Sequence, residues 1–471
     1  MENEFTFLNK MPLIVGMVAL GAASSHAQYV PGTNDLDHSK TWSLSADFRG
    51  FYDDNDATLP RSYFANGAVL HPLTTWGTEI TPSAGLNHSA EKTLVNASYI
   101  FDARLNENRG PTDLTHQFNG CFEHEFGEGY KLSLHESFVS GQEPTIMDPD
   151  IVASPLRISG DNKRNTSDVG FKAALNKQFD LHLGYGNTLH AYQQLDGSVI
   201  GYPFVGAQSV YQPVPSYSDL LDRMEQSATL DLEWKATAAT TGILGYQFEN
   251  TSYTSRGYIL YPYGAASPYL APVSAPPGSV SSGYRSNVRD SDSHIGFVGA
   301  EENFTSELHG SLRIGSEYMD YYKFHTSRLS PYVDAALTYD YLPGDSVQLG
   351  VKHIHNATDI VGAPILGAPG GIPVLDQETT AVSLSERHNF SKKFTVSLTG
   401  QLQDSDYVGG GTGYKGKGED FFVAQLSLAY HFTPWLLAET GYNYSRLTSD
   451  LPFREYTRNF VFLGVRGTWG Q

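Results

Sequence analysis

Residues 456–471 read YTRNFVFLGVRGTWGQ. Val461, Leu463, Val465 and Trp469 share one parity. Gly464, Arg466 and Thr468 share the other, where the apolar Phe462 breaks the pattern. Successive side chains of a strand leave opposite faces, so the stretch predicts a strand with one apolar and one mostly polar face. Whether that strand belongs to a soluble sandwich or to a membrane barrel depends on the rest of the chain.

The same alternation recurs from residue 42 onward. Val95, Ala97, Tyr99, Phe101, Ala103 and Leu105 are opposed by Asn96, Ser98, Asp102 and Arg104, with Ile100 out of pattern. Met224, Ala228, Leu230, Leu232 and Trp234 are opposed by Arg223, Glu225, Ser227, Thr229, Asp231, Glu233 and Lys235. Eighteen such runs can be marked, from 42–52 and 76–89 to 435–448 and 457–469. Many are ~10–14 residues long. That exceeds the ~5–6 of an ordinary soluble strand and suffices for the ~9–11 of a tilted membrane-spanning one.

The connections alternate in length. Ser89-Ala-Glu-Lys, Gly127-Glu-Gly, Lys177-Gln-Phe-Asp, Ala236-Thr-Ala-Ala, Thr305-Ser-Glu, Leu342-Pro-Gly-Asp, Ser391-Lys-Lys and Thr433-Pro-Trp are tight turns. Between them fall longer loops at 53–75, 141–164, 195–220, 253–289, 357–377 and 406–417. Short turns at one rim and long loops at the other are the outer-membrane pattern. The fold expected is therefore all-β: a transmembrane antiparallel barrel of about 18 strands with periplasmic turns and extracellular loops. The last run is expected to pair with 42–52 and leave no open edge.

Composition agrees. Aromatics are 13% of residues, with 29 Tyr, 25 Phe and 46 Gly, a mix suited to strands and bends. Residues 1–27 read as a signal peptide: an apolar core from Met11 and the small-x-small site Ser25-His26-Ala27. The leading Glu2 and Glu4 against Lys10 are atypical of one. Residues 28–41 form a short periplasmic lead, and 42–471 the barrel. Loss of two Glu and one Lys with the leader changes the net charge from −20 to −19, which argues against nucleic acid as a partner. The expected partners are outer-membrane lipid, the outer-membrane assembly machinery and small hydrophilic solutes or glycans. No cofactor is expected, and the oligomeric state is not legible.

The polar parity defines an expected lumen face. Acids at Asp47, Asp102, Glu123, Glu125, Glu225, Asp231, Glu233, Glu249, Glu317, Asp334 and Glu439 exceed bases at Arg49, Arg104, Arg223, Arg313, Arg387 and Arg466. Glu79, Glu302, Asp340, Lys131, Lys172, Lys235 and Lys352 join them. Most are expected to pair across strands and hold the wall, while the acidic excess sets a mild cation preference. Tyr258, Tyr261, Tyr263, Tyr269 and Tyr284 in loop 253–289 are candidate constriction aromatics.

Other polar groups read more plainly. The acids of Tyr52-Asp-Asp-Asn-Asp-Ala57 lack an EF-hand spacing and read as a solvated loop. His353 and His355 share a strand face and read as a rim pair rather than a metal site. Cys121 reads as a lone lumen thiol without a role. His135 and Ser137 share a face but show no acid to orient the His, so no catalytic set is assigned.

Leu44-Ser-Ala-Asp-Phe-Arg-Gly-Phe-Tyr-Asp-Asp-Asn55 and Arg454-Glu-Tyr-Thr-Arg-Asn-Phe-Val-Phe-Leu-Gly-Val-Arg-Gly-Thr-Trp469 resemble the first and last strands of the β-barrel porin 2 group of Gram-negative outer-membrane proteins. The resemblance implies an outer-membrane barrel, some members being associated with exopolysaccharide export, and carries no catalytic residues. The function expected is passive passage of small hydrophilic solutes. Polysaccharide export with an inner-membrane partner, and a closed barrel acting as adhesin or scaffold, are the alternatives.

Overall fold

The computed structural model describes residues 40–56, 58, 63–65, 68–72, 74–107, 113–141, 162–197, 199–201, 213–260, 283–361, 371–451 and 454–470. The expected signal peptide and most of the expected lead lie outside them. Eighteen long strands form one sheet. They are β1 Trp42–Asp53, β2 Thr75–Ala90, β3 Thr93–Asn106, β4 Asp113–Gly127, β5 Tyr130–Gly141, β6 Asn162–Ala174, β7 Phe179–Tyr192, β8 Arg223–Lys235 and β9 Thr240–Tyr253. They continue as β10 Ser291–Asn303, β11 Leu308–Tyr321, β12 Thr326–Leu342, β13 Asp345–Asn356, β14 Val374–Ser391, β15 Phe394–Gly409, β16 Gly418–Thr433, β17 Leu436–Ser449 and β18 Tyr456–Gly470.

Each strand pairs antiparallel with its sequence neighbours, and β18 pairs with β1 from Ser43↔Gly470 to Asp53↔Phe460. Closure gives every strand two partners and removes the edges that a bilayer cannot solvate. All eight expected tight turns are present. In Leu342-Pro-Gly-Asp345 the turn uses proline's fixed φ and then Gly344 at φ +86°. A helix, α1 Tyr217–Leu221, sits in the loop between β7 and β8.

The alternation separates two faces. On β1, Leu44 and Phe48 are 49% and 52% exposed, whereas Asp47 and Arg49 are each 3% exposed. Outward Leu, Val, Phe and Tyr continue around the sheet, and the five tryptophans, Trp42, Trp76, Trp234, Trp435 and Trp469, all point outward. Trp42, Trp234, Trp435 and Trp469 lie at the tight-turn end and Trp76 at the loop end, marking the two girdles that interfacial aromatics form. Among the described residues no helix is long and apolar enough to cross a membrane.

On β10 the inward parity is Ser291, Ser293, Ile295, Phe297, Gly299 and Glu301. Ile295 and Phe297 pack with Ile243 and Tyr332 in an apolar patch on the inner wall. Here the polar parity is not the lumen parity, so the expectation that Glu302 faces the lumen is corrected to Glu301.

Candidate functional site

The inner wall is densest in charge where the barrel closes. The Arg49 guanidinium donates to Asp47 at 2.9 Å, Glu439 at 2.7 Å and Glu79 at 3.2 Å. Arg104 donates to Glu79 at 3.0 Å, and Arg466 to Glu439 at 2.6 Å. These side chains come from β1, β2, β3, β17 and β18, which the closure makes neighbours. Asp102 accepts from Thr81 at 2.7 Å beside them. Arg49 lies over the Phe462 ring at 4.7 Å, and Arg104 over Phe51 at 5.2 Å. The apolar Phe462 on the polar parity is thus a platform for a cation.

The other expected wall residues also take the inward face. Glu123 meets Lys131 at 2.9 Å, with Glu125 opposite Lys131 in register. Arg223 donates to Glu225 at 2.6 Å. Glu233 meets Lys172 at 2.5 Å. Arg313 stands opposite Asp334 in register and 3.5 Å from Glu301. Glu249 accepts from Gln247. Glu317 accepts from Ser293 at 2.7 Å and from the His355 amide at 3.3 Å. Asp231 is 3% exposed, and Arg387 sits towards the tight-turn rim, opposite Ser346 and Ser397.

His353 and His355 separate rather than chelate. His353 contacts Glu378 at 3.0 Å, and His355 contacts Ser330 at 2.7 Å and Asp376 at 2.9 Å. The acidic stretch after β1 is not solvated, which corrects that reading. Asp53 is fully buried and receives Arg458 Nε at 2.9 Å; Asp54 receives the Asn459 amide at 2.7 Å and its side chain at 2.6 Å. Both stretches that carry the family resemblance therefore meet in one clasp at the loop end of the seam. His135 faces Asp168 in register, an acid that sequence spacing did not reveal.

At the loop end the connections turn inward over the wall. Arg289, 1% exposed, donates to the Asp219 carbonyl at 3.2 Å, to the Leu220 carbonyl and to the Thr358 carbonyl at 3.1 Å. It rests on the Tyr253 ring at 4.0 Å. One side chain thus ties loops rooted at β7–β8, β9–β10 and β13–β14. Arg454, between β17 and β18, reaches Asp359 at 3.2 Å and Glu419 at 3.0 Å. Burial alone would lower the Arg454 pKa, but those two carboxylates hold it well above its usual value. Ile360 packs with Val374, Tyr407 and Leu451, so the described start of the apolar loop 357–377 tucks inward. Ser255 Oγ donates to Asp219, and the Asp219 carboxylate also accepts from the Gly197 amide at 2.9 Å. Asp222 accepts from the Tyr192 amide at 2.7 Å. Burial pushes its carboxyl up to about 7, against that hydrogen bond and with Asp196 and Asp219 adding to the rise.

Of the candidate aromatics, Tyr258 lies under Arg285 at 5.1 Å and Tyr284 packs on Phe324 at 5.8 Å. Tyr261, Tyr263 and Tyr269 lie outside the described residues. Arg289, Arg454 and Asp359 were missed as functional residues because each acts from a loop, where no periodicity marks it; Arg458 was missed although it lies on β18, on the same parity as Arg466.

A sheet closed on itself, apolar outside and charged inside, with loops folded over one mouth, is the architecture of an outer-membrane pore. Residues 281–468 match the family model of putative beta-barrel porin 2. The match runs from the loop before β10 into β18 and includes the resemblance at 454–468; the stretch at 44–55 lies outside it. The chain is a closed eighteen-stranded β-barrel, and its residues 281–468 are similar to that porin family. It is similar to OccAB3 of Acinetobacter baumannii (10% identity, 91% of this chain and 99% of that chain covered, TM-score 0.39). It is also similar to the outer membrane protein OprD from Pseudomonas aeruginosa (9% identity, 92% and 94% covered, TM-score 0.37). A third similarity is to the FrpB iron transporter from Neisseria meningitidis (8% identity, 91% and 81% covered, TM-score 0.42). No curated protein matches the chain.

Proposed function

We propose that the protein is a non-enzymatic channel for passive passage of small hydrophilic solutes, with a mild preference for cations. The observation that carries this reading is the closed eighteen-stranded wall with charged side chains on its inner face. Barrels of 16–18 strands are wide enough to leave an aqueous path. At the seam, Arg49, Arg104 and Arg466 offset Asp47, Glu79 and Glu439 and leave little net field. From β8 to β12 the acids Asp231, Glu233, Glu249, Glu301, Glu317 and Asp334 exceed Arg313 and Lys235 once Arg223 is set against Glu225. Charge that excess leaves on the wall favours cations in the lumen. We place the narrowing of the passage at the loop segments that Arg289 and Arg454 tie together.

The test is conductance of the purified, folded chain in a planar bilayer under a salt gradient. A steady conductance with a reversal potential of cationic sign supports the reading; a folded barrel that passes no current refutes the open channel, and an anionic reversal potential refutes the selectivity.

A further inference from the structure

Inside the wall, away from both the seam and the mouth, one group of side chains is left without a part in the channel. Cys121 and Glu123 of β4 and His135 of β5 all take the inward face, and Cys121 stands opposite His135 in register. One donor atom from each, a sulfur, a carboxylate oxygen and an imidazole nitrogen, lies within 4.8 Å of the other two. Cys121 forms no disulfide. On its other side Cys121 stands opposite Asn96 of β3. The Asn96 Oδ1 is buried and accepts no hydrogen bond among the described residues.

We propose that these residues form a lumen site for a divalent transition cation of the zinc class. A thiolate and an imidazole select borderline-soft cations over calcium or magnesium, which take oxygen sets. Thiolate and carboxylate together balance a double charge. A tetrahedral zinc with bonds of about 2.0–2.3 Å spaces its donors by less than about 4 Å, a gap that small rotamer shifts close. Cys121, Glu123 and His135 supply three ligands, and Asn96 or water the fourth. Lys131 lies 2.9 Å from one Glu123 oxygen, which leaves the second for the ion. Asp168 faces His135 in register, where a carboxylate fixes the tautomer of a ligating imidazole. The lone thiol that the sequence left without a role becomes the residue that sets the metal's class.

The experiment uses the full chain folded in detergent micelles. Zinc is titrated calorimetrically, and cobalt serves as the spectroscopic probe. Expected are one zinc per chain, a thiolate-to-cobalt charge-transfer absorption, and protection of Cys121 from maleimide by zinc. Cys121→Ser is expected to abolish the absorption, and His135→Ala to weaken zinc binding tenfold or more, both in folded barrels. The maleimide measurement needs no variant and so does not depend on any variant folding. Equal maleimide rates with and without zinc, or a folded wild-type chain with no cobalt–thiolate absorption, would overturn the proposal.

Discussion

The seam and the mouth are both held by buried arginines, but in different ways. At the seam, Arg49, Arg104, Arg458 and Arg466 contact acids that strand register brings alongside: Asp47, Glu79, Glu439 and Asp53. At the mouth, Arg289 and Arg454 contact groups of the loops, and both reach the β13–β14 loop, at Thr358 and Asp359, from loops whose strands are not neighbours of β13 or β14. A break in the first kind should unmake the wall, because the arginine closes a cylinder. A break in the second should change only what passes through it. Four predictions press on that difference, and a fifth checks the outer face.

The largest effect should come from Arg49→Ala. It strips three carboxylates of their shared cation, and removing one partner of a buried pair costs about 3–5 kcal/mol. Urea unfolding of the micelle-folded barrel should show that loss or a failure to assemble; unchanged stability would mean the seam does not depend on this cluster. Arg458→Ala leaves the fully buried Asp53 without its guanidinium. The same assay should show a smaller loss, because Arg458 keeps some contact with solvent and the Asp54–Asn459 bonds survive.

This contrast also explains what could be read in advance. The eighteen strands and the inward face of the predicted charges other than Glu302 follow from a period of two, because each inward residue has its outward neighbours to mark it, and the eight tight turns from the short stretches between those runs. Closure followed from the barrel reading, and it turned two sequence ends into one clasp at Asp53 and Arg458. Glu302 failed where Ile295 and Phe297 made the inner face apolar, so polarity no longer named the lumen. Arg289 and Asp359 were illegible, since their partners are carbonyls or side chains of loops far along the chain. His135 looked unsupported because Asp168 is 33 residues away in sequence yet opposite it in register.

At the mouth, Arg289→Ala frees three backbone carbonyls. Each unsatisfied group is worth about 1–3 kcal/mol, borne by the loops rather than the wall. Single-channel current should rise and fluctuate more, with the urea midpoint of the barrel nearly unchanged. A matching fall in barrel stability would erase the distinction between mouth and seam. Asp222 adds a pH dependence. Its folded carboxyl titrates near 7, above the ~3.9 of an unfolded aspartate. The folded mouth therefore binds more protons than the loosened one. Its stability is fully present below pH 4, falls as pH rises towards 7, and stays low above it. Conductance should be lower at pH 5 than at pH 8, and Asp222→Asn should flatten that difference. The groups set around Asp222 are Asp196, Asp219 and Arg223, with the Tyr192 amide.

The smallest effect belongs to the outer face. Trp76 is 60% exposed and contacts Tyr52 at a ring separation of 4.7 Å. Trp76→Ala should cost only about 0.5–1.5 kcal/mol and leave conductance alone; a large loss would show that the outer aromatic girdle, not the seam, holds the barrel together.

The most direct test of the account is single-channel recording of the unmodified folded chain in a planar bilayer with unequal salt on the two sides. The account predicts a steady current whose reversal potential has the sign of a cation-preferring pore. A barrel shown to be folded by its heat-modifiable migration, yet silent in the bilayer, would contradict it.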